Sequence, residues 1–381
     1  MYKRIMQKVL LYASGKFPVI TVTGPRQSGK TTLVRETFSE KKYVSLEDLD
    51  EREFAINDPR GFLKTYKGGT IIDEIQYAPN LFSYLQSHVD SSKVMAEFIL
   101  TGSQHFLLIE KVTQSLAGRS CILQLLPLCI EELLPPPTAS PFDFIYKGFY
   151  PALYQHSIDP SLFYKSYINT YVERDVRSLK NIKNLSLFKT FLHLCAGRIG
   201  QLLNLSSLGA DCGIDQETVK SWLSLLETSY ILFLLRPHHT NFNKRVTKQP
   251  KLYFYDTGLV SHLLGIETEE DLLRNYARGS LFENYVALEL IKQRYNLGKE
   301  SNLFFWRDHT GHEVDFIIEK PPQLIPIEAK SAQTLSSSFF EGLIYWQKIA
   351  KEDIGYLIYA GEKEKIQSKN IVLPWNKVAS I

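Results

Sequence analysis

The sequence predicts a multidomain α/β protein whose first third folds around a parallel sheet. The chain has 381 residues, and at about 150 residues per domain this length suggests two or three domains. Apolar residues make up 44% and charged residues 22%, which is the balance of an ordinary globular protein. In the first third, short apolar segments alternate with polar helical ones. Apolar segments without a regular alternation are typical of parallel strands buried on both faces.

The order of the predicted elements follows from this pattern. Strands are predicted at residues 17–23, 43–46, 70–73 and 98–101, with 121–125 as a candidate fifth. The segment 133–151 contains three consecutive prolines and predicts a surface connection, because proline is excluded from helix interiors and central strands. Helical periodicity resumes from 161 to about 199. A compact block follows at roughly 200–260, and a final α+β region extends to 381.

Charge and cysteine content exclude several classes of protein. The 44 basic and 41 acidic residues leave a net charge of +3, so any basic surface for nucleic acid must be local. The four cysteines form no CxxC pair and predict a reduced, cytoplasmic protein. The apolar stretches are much shorter than the roughly 20 residues of a membrane-spanning helix. The first 14 residues are predicted to form a helix rather than a signal peptide, and no membrane partner is expected.

A phosphate-binding loop is predicted at residues 24–31. The segment GPRQSGKT satisfies the pattern GxxxxGK[ST] and lies between a predicted strand and a helical stretch, as the mechanism requires. Backbone N–H groups and the helix N-terminus would hold phosphates there. We expect Lys30 to reach the β- and γ-phosphates and Thr31 to bind Mg²⁺. The predicted nucleotide-binding residues of this loop are Gly24, Pro25, Arg26, Gln27, Ser28, Gly29, Lys30, Thr31 and Thr32.

Two carboxylates end the strand predicted at 70–73. Asp73 is expected to hold the Mg²⁺ shell with Thr31, and Glu74 is expected to orient the water that attacks the γ-phosphate. Solvated acids at a strand end are common in isolation. Combined with the loop, the pair predicts a nucleoside triphosphatase in which Glu74 and Lys30 are catalytic.

Polar residues after the next two strands are weaker candidates. Ser103 and Gln104 are equal candidates for sensing the γ-phosphate, and the alternative is a simple Gly-Ser turn. Arg119 fits the role of neutralising transition-state charge, in its own or in a neighbouring subunit, and a surface arginine is the alternative.

These motifs resemble those of prokaryotic AAA+ ATPases that carry a C-terminal domain of unknown function. The matching segments are GPRQSGKTTL (24–33), GGTIIDEIQ (68–76), FILTGSQ (98–104), SLAGR (115–119), YINTYVERDV (167–176), YDTGL (255–259) and GSLFENYV (279–286). The resemblance covers nearly the whole chain. It implies ATP rather than GTP as the nucleotide, with Mg²⁺ as the metal.

The resemblance also implies a division into four domains. These are an AAA+ core at 1–132, a helical lid or connector at 133–195, a winged-helix-like module at 196–262 and a restriction-endonuclease-like domain at 263–381. It makes Arg174, from the lid, a second candidate for a phosphate-sensing arginine. The alternative for Arg174 is an ordinary charged pair on a helix surface, since acidic neighbours surround it.

A helix-turn-helix pattern predicts a candidate DNA-binding element at about 202–227. One helix is predicted at 206–212, then a turn at Gly213 and a second helix that starts near Asp215. The segment behind it predicts a two-strand wing whose basic residues lie near the tip: Lys244, Arg245, Lys248 and Lys251. Contacts from such a tip to phosphates would be salt-sensitive. The alternative is a winged helix used only for packing or for protein contact.

The last domain carries a nuclease-like set of residues. Strands are predicted up to 306, at 313–319 and at 324–330, so that Glu328 and Lys330 face one side. With Asp315 on the preceding strand and Glu283 on an upstream helix, the set resembles the PD-(D/E)XK nuclease signature, although Val314 replaces the usual proline. Carboxylates that bind Mg²⁺ and a lysine beside them can activate water. Solvated residues at strand edges are the alternative.

The sequence therefore predicts an ATPase that couples hydrolysis of ATP to a DNA transaction. One alternative is a nucleotide-gated nuclease of a defence or mobile-element system. Another is a switch that binds a protein partner without nuclease activity. A homo-oligomer is expected if Arg119 or Arg174 acts in a neighbouring subunit.

Overall fold

The computed structural model describes residues 2–103, 112, 114–134, 136, 139–172, 184–238, 246–351 and 354–381, with the side chains of 171 and 172 excepted. The chain divides into two compact units. The N-terminal unit comprises Met1–Leu128, Thr228–Tyr230 and Tyr295–Glu300, and the C-terminal unit comprises Cys129–Glu227, Ile231–Arg294 and Ser301–Ile381.

A parallel sheet forms the centre of the N-terminal unit. Within the described residues it has five strands in the order β2-β3-β4-β1-β5. The strands are β1 (Val19–Thr23), β2 (Lys42–Ser45), β3 (Thr70–Asp73), β4 (Phe98–Gly102) and β5 (Ser120–Gln124). The four predicted strands and the candidate fifth are thus confirmed, with shifts of one or two residues at their ends.

Helices cover both faces of this sheet. They are α1 (Gln7–Ser14), α2 (Lys30–Thr37), α3 (Leu49–Asn57), α4 (Pro59–Thr65) and α5 (Leu81–Ser92), with a 3₁₀ turn at Ile75–Tyr77. Neighbouring residues of one strand enter different cores: Ile72 packs with Phe82 on one face, whereas Ile71 packs with Val34 on the other. The strands are apolar throughout because both of their faces are buried.

The remaining chain begins with a series of helices. Those before the last sheet are α6 (Ile130–Leu133), α7 (Pro141–Lys147), α8 (Pro151–Gln155), α9 (Pro160–Tyr167), α10 (Leu185–Ala196), α11 (Leu205–Cys212), α12 (Gln216–Thr228), α13 (Thr257–Leu263), α14 (Glu269–Arg274) and α15 (Arg278–Asn296), with a π-helix at Ile168–Val172.

The prediction of a surface connection over 133–151 was wrong for its second half. Residues 141–147 form the helix α7, and its Phe142 and Ile145 are buried. The prolines are compatible with this because Pro141 occupies the first turn, where no N–H bond is needed, and Ser140 caps the helix through Phe142 N.

The side chain of Asp256 joins two glycine-containing segments, 148–151 and 255–259. Its buried carboxylate caps α13 through Leu259 N at 3.0 Å and also accepts from Phe149 N at 2.8 Å and the Tyr164 hydroxyl at 2.6 Å. A Cβ on Gly148 would lie 1.9 Å from that hydroxyl. The glycine is therefore required by packing rather than by chemistry.

The predicted helix pair is confirmed. Helix α11 ends at Gly213, whose φ of +73° permits the turn, and Asp215 caps α12 through two backbone N–H groups. The apolar side chains of α12 are buried, namely Val219, Trp222, Leu223 and Leu226. Behind the pair, β6 (Leu232–Leu235) and β7 (Lys251–Phe254) form an antiparallel two-stranded sheet. Residues 239–245 lie outside the described part of the chain.

A mixed sheet completes the C-terminal unit. In the described residues it has six strands in the order β12-β13-β11-β10-β9-β8. They are β8 (Leu303–Arg307), β9 (Glu313–Lys320), β10 (Gln323–Lys330), β11 (Tyr356–Tyr359), β12 (Lys365–Gln367) and β13 (Asn370–Pro374), with α16 (Glu341–Ala350) between β10 and β11 and 3₁₀ turns at Ser337–Phe340 and Trp375–Ser380. The predicted meander β8-β9-β10 is antiparallel, and β11 adds to it in parallel.

Across the ranges that the structure describes, no helix is both long enough and apolar enough to span a bilayer.

Candidate functional site

The loop between β1 and α2 contains positive φ angles at its two glycines, a conformation that glycine adopts readily. Gly24 has a φ of +147°, and a Cβ there would lie 2.1 Å from the carbonyl oxygen of Leu125. Gln27 and Gly29 also have positive φ angles, of 61° and 92°. The turn delivers the chain directly into α2, so that N–H groups at the helix N-terminus are available to an anion.

Lys30 lies within this loop and is only 5% exposed. Its ammonium group donates to the carbonyl oxygens of Gly24 at 3.0 Å and Pro25 at 2.8 Å. Nearby in sequence, the Ser28 hydroxyl is buried and has no hydrogen-bond partner among the described residues. The loop thus holds a buried cation and an unsatisfied hydroxyl.

Asp73, at the end of β3, is the centre of a hydrogen-bond network. The Thr31 hydroxyl donates to its two carboxylate oxygens at 3.1 and 3.0 Å, and the Tyr43 hydroxyl donates to Oδ2 at 2.9 Å. Thr101, on β4, donates to Oδ1. Burial and the charge of Asp73 raise the pKa of Tyr43 to about 12. Tyr43 therefore remains a donor at neutral pH.

Glu74 follows Asp73 in a left-handed backbone conformation, with φ +54°. Such a conformation costs a residue with a side chain about 1–3 kcal/mol. Its Oε2 accepts hydrogen bonds from the Ser103 hydroxyl at 3.2 Å and from the side-chain amide of Gln76. The second of the two acids is thus held in one orientation by its neighbours.

The structure brings together Lys30, Thr31, Asp73, Glu74 and Ser103, as expected. Of the other residues predicted for the loop, Pro25 and Arg26 are buried, whereas Gln27 and Thr32 are exposed. Gln104 and Arg174 lie outside the described residues, so neither role is tested.

Arg119 makes a two-point contact with the exposed carboxylate of Asp90 on α5. The Nε–Oδ1 distance is 2.5 Å and the Nη2–Oδ2 distance is 2.9 Å. The hydrogen bond from Arg119 holds the pKa of Asp90 below its usual value. In this chain, Arg119 is engaged on the surface rather than at the loop.

Three side chains of the site were not predicted: Tyr43, Gln76 and Thr101. The signal that could have found Thr101 is its position near the carboxyl end of β4, which flanks β3, whereas Tyr43 lies early in β2 and reaches Asp73 through its long side chain. Ends of parallel strands meet at one edge of a sheet, which is where such folds bind ligands.

Comparisons with known proteins agree with this geometry. Residues 16–134 match the family model described as an AAA domain. The "Uncharacterized protein Rv2008c" of Mycobacterium tuberculosis is 30% identical over 361 residues, which are 93% of this chain and 79% of that protein. This chain belongs to the same family as that protein. It therefore carries a P-loop ATPase domain of the AAA type, followed by matches to two domains of unknown function, DUF8612 at 140–270 and DUF4143 at 278–378.

More distant similarities extend over much of the chain. An "Uncharacterized protein" of Haemophilus influenzae is 21% identical over 362 residues, covering 85% of this chain and 84% of that one. The Walker-type ATPase PABY2304 of Pyrococcus abyssi has a TM-score of 0.38 at 13% identity, covering 68% of this chain and 94% of that one. The RuvB Holliday junction branch migration motor of Thermotoga maritima has a TM-score of 0.30 at 18% identity, covering 61% and 88%.

Outside the AAA domain, a second group of charged residues lies on the last sheet. Asp315 accepts from Ala329 N at 2.9 Å and from the Lys330 ammonium at 3.3 Å, and Lys330 also donates to Glu328. The predicted set Asp315, Glu328 and Lys330 therefore lies on one face of β9 and β10. Burial and the charge of Asp315 raise the pKa of Glu328 well above its usual range.

Lys251 belongs to this group, and its prediction as a wing-tip residue was wrong. It is 2% exposed and pairs with Glu283 at 2.8 Å and with Glu313 at 2.5 Å. Burial alone would lower the pKa of Lys251, but these carboxylates raise it well above its ordinary value. We call Lys251, Glu283, Glu313, Asp315, Glu328 and Lys330 the C-terminal charged cluster.

In the C-terminal charged cluster, acidic and lysine side chains contact one another. In the described residues, no group of three or more His, Cys, Asp or Glu side chains is arranged to hold a metal ion. Lys251 and Lys330 each form ion pairs with two carboxylates of the cluster. Metal binding by Glu283, Asp315 and Glu328 stays a prediction.

Proposed function

We propose that the protein is a Mg²⁺-dependent ATPase that couples hydrolysis of ATP to a transaction on DNA. The observation that carries the ATPase part is the hydrogen-bonded pair of Thr31 and Asp73, beside Lys30 and directly before Glu74. A hydroxyl, two carboxylates and an ammonium group at one sheet edge are the groups that phosphoryl transfer requires.

The residues of the loop fit a nucleotide and its magnesium ion. The buried Ser28 hydroxyl lacks a partner among the described side chains and backbone groups, and a phosphate oxygen would supply an acceptor for it. Thr31 and Asp73 offer oxygen ligands, which a hard cation prefers. When bound, Mg²⁺ would neutralise charge that develops on the phosphate oxygens.

The roles of the individual residues follow from their contacts. Lys30, now held by two carbonyl oxygens, would exchange these partners for the β- and γ-phosphates. Glu74 would orient the attacking water, and Ser103 with Gln76 would fix the position of its carboxylate. Ser103 would sense the γ-phosphate through this contact, and Gln104 remains the second candidate.

The arginine that neutralises transition-state charge would come from a neighbouring subunit. Arg119 is exposed on the AAA unit and could exchange Asp90 for the phosphates of a second copy. Arg174 is the alternative from the lid. If either arginine acts in a neighbouring subunit, the active form of the cytoplasmic enzyme is a homo-oligomer.

DNA is the proposed partner because of the helix pair and the two-stranded sheet behind it. Helix α12 presents Gln216, Glu217 and Lys220 outward, and Lys248 is exposed beside the described end of the wing. Lys244 and Arg245 would add two cations. Phosphate contacts from these residues would give salt-dependent affinity with little sequence preference.

A nucleotide-gated nuclease is the second candidate function. The contacts that join Asp315, Glu328 and Lys330 favour it, because they gather the nuclease-like set on one face. It ranks second because Lys251 and Lys330 already form ion pairs with carboxylates of this set. A switch that binds a protein partner is the third candidate, and the near-neutral net charge is compatible with it.

Incubating the protein with supercoiled plasmid and Mg²⁺, with and without ATP, distinguishes the three candidate functions. We expect the plasmid to remain intact and the ATPase rate to rise when DNA is added. Nicking that Asp315→Ala abolishes, with the ATPase rate unchanged, would establish the nuclease instead. An ATPase rate that DNA does not alter, with no nicking, would favour the protein-interaction switch.

A further inference from the structure

A basic groove lies on the N-terminal unit between α4 and α5. It encloses a volume of about 550 Å³, and the loop residues 24–31 do not line it. One wall carries Arg60 and Lys64 on α4 and Lys67 in the turn that follows. The other wall carries Ser83, Tyr84 and Ser87 on α5. Among the residues that the structure describes, no carboxylate lines the groove.

The three cations of the groove lie on the wall formed by α4 and the turn after it. Arg60 and Lys64 are four residues apart on α4, and Lys67 follows after three more. All three are exposed, and within the described chain none forms an ion pair. Three neighbouring positive charges without an acid raise the local potential, which attracts anions.

Among the described residues, the carboxylate contacted from the groove is that of Glu97, and it is buried. His88, at the edge of the lining, contacts Glu97 at 2.8 Å, and Ser92 donates to the same carboxylate. Glu97 is 3% exposed, so it lies beneath the surface. The wall formed by α5 therefore presents hydroxyl groups and an aromatic ring, and no negative charge, to the groove.

Hydroxyl groups and an exposed ring are suited to one class of anion. Ser83 and Ser87 can donate to phosphate oxygens, and the Tyr84 ring is 36% exposed. A groove that combines cations with an aromatic side chain is typical of single-stranded nucleic-acid binding, because cations follow the backbone and bases stack on rings. A duplex offers phosphates but no unstacked base for Tyr84.

We propose that this basic groove binds the phosphate backbone of single-stranded DNA, with Tyr84 stacking on a base. The proposal rests on the proposed coupling to DNA and gives the AAA unit its own DNA contact. The wing residue Lys248 would then be a second contact rather than the main one.

The test measures binding of a fluorescein-labelled dT 20-mer to the full chain by anisotropy, at several salt concentrations. In one variant, Arg60, Lys64 and Lys67 are replaced by alanine. The matched control replaces Lys3, Lys8 and Lys16, which are also exposed on the N-terminal unit and carry the same charge. Tyr84→Ala and Tyr84→Phe test the ring, and a duplex of equal length tests strand preference.

We expect the groove variant to bind dT at least tenfold more weakly, while the control variant binds as the parent does. The slope of log K against log salt should fall by about two, since each phosphate contact to a single strand contributes about 0.7. Tyr84→Ala should weaken binding about fivefold or more at an unchanged slope, and Tyr84→Phe should not, because the phenyl ring still stacks.

Equal binding by the groove and control variants would overturn the proposal. Duplex binding as tight as single-strand binding, with no effect of Tyr84→Ala, would overturn the single-strand assignment. If dT binding requires the groove but dT leaves the parental ATPase rate unchanged, the groove is supported and the coupling of hydrolysis to DNA is refuted. If the groove variant binds normally while DNA still stimulates the ATPase, the coupling stands without the groove.

Discussion

Asp73 receives hydrogen bonds from side chains of three different elements. Thr31 lies in the first turn of α2, Tyr43 lies on β2 and Thr101 lies on β4. These donors compensate a carboxylate that is only 7% exposed. Because hydrogen bonds to a charged group are worth about 1.5–3 kcal/mol, the network fixes the carboxylate before any ligand arrives.

Lys251 is a buried cation whose ion-pair partners lie far from it in the sequence. Its partners, Glu283 and Glu313, are separated from it by 32 and 62 positions. Removing a buried cation leaves two carboxylates without compensation, and breaking a buried pair typically costs about 3–5 kcal/mol.

We therefore expect Lys251→Met to lower the free energy of unfolding by about 3 kcal/mol or more. Lys248→Met, three positions away and exposed, should change it by no more than about 0.5 kcal/mol. Urea denaturation of both variants measures the difference. Equal stability of the two variants would contradict the buried ion pairs of the C-terminal charged cluster.

Local pattern was sufficient to predict Lys30 and Asp73, but not their neighbours. The spacing GxxxxGK[ST] and an apolar strand ending in two acids are both contiguous signals. Tyr43 and Thr101 reach Asp73 because β2 and β4 flank β3, and this strand order cannot be read from the segments themselves. Lys251 was misplaced for the same reason, since only the folded sheet brings Glu313 to it.

At the scale of elements, Asp256 joins three segments that are far apart in sequence. Its carboxylate caps α13, accepts from the backbone at Phe149 and accepts from Tyr164 on α9. Burial raises the pKa of Asp256. Because Asp256 is buried, its carboxylate is stabilised by the hydrogen bonds from Leu259 N, Phe149 N and the Tyr164 hydroxyl rather than by water.

Asp256→Ala should lower the free energy of unfolding by about 2–6 kcal/mol, because it leaves two buried backbone donors, Phe149 N and Leu259 N, without an acceptor at about 1–3 kcal/mol each. Asp159→Ala is the matched control, since Asp159 caps α9 through Leu162 N on the exposed surface. Loss of an exposed cap costs about 1 kcal/mol. Similar losses from both variants, measured by urea denaturation, would contradict the joining role of Asp256.

Helices and strands were predicted correctly where the apolar pattern was the main signal, and a helix was missed where a proline suggested a break. The strands of the parallel sheet and the strands β8, β9 and β10 follow from apolar patterns, and the pair α11–α12 follows from an apolar pattern with a glycine at the turn, whereas β11, β12 and β13 were not predicted. Helix α7 was missed because its proline suggested a break, although Pro141 stands at the one helical position that tolerates it.

At the scale of the whole molecule, the proposed trans-acting arginine makes activity depend on assembly. Arg119 is exposed, and its contact with Asp90 lies on the surface of the AAA unit. We expect the ATPase rate per protomer to rise with protein concentration. Mixing Arg119→Ala with Glu74→Gln should partly restore activity, since each variant supplies the group that the other lacks.

The control for this mixture is each variant alone at the same total concentration. An ATPase rate independent of concentration, with no recovery on mixing, would indicate a self-contained site in a monomer. Recovery with Arg174→Ala but not with Arg119→Ala would assign the role to the lid arginine.

Lys30 is proposed to hold the phosphates and Glu74 to prepare the attacking water, and the variants Lys30→Ala and Glu74→Gln separate these two roles. Fluorescent ATP-analogue binding and phosphate release are measured on the parent, Lys30→Ala and Glu74→Gln. Lys30→Ala should lose binding, whereas Glu74→Gln should bind as the parent does and lose turnover by about 100-fold or more, the range of general-base catalysis. Hydrolysis by Glu74→Gln at the parental rate would contradict the assignment of the catalytic carboxylate.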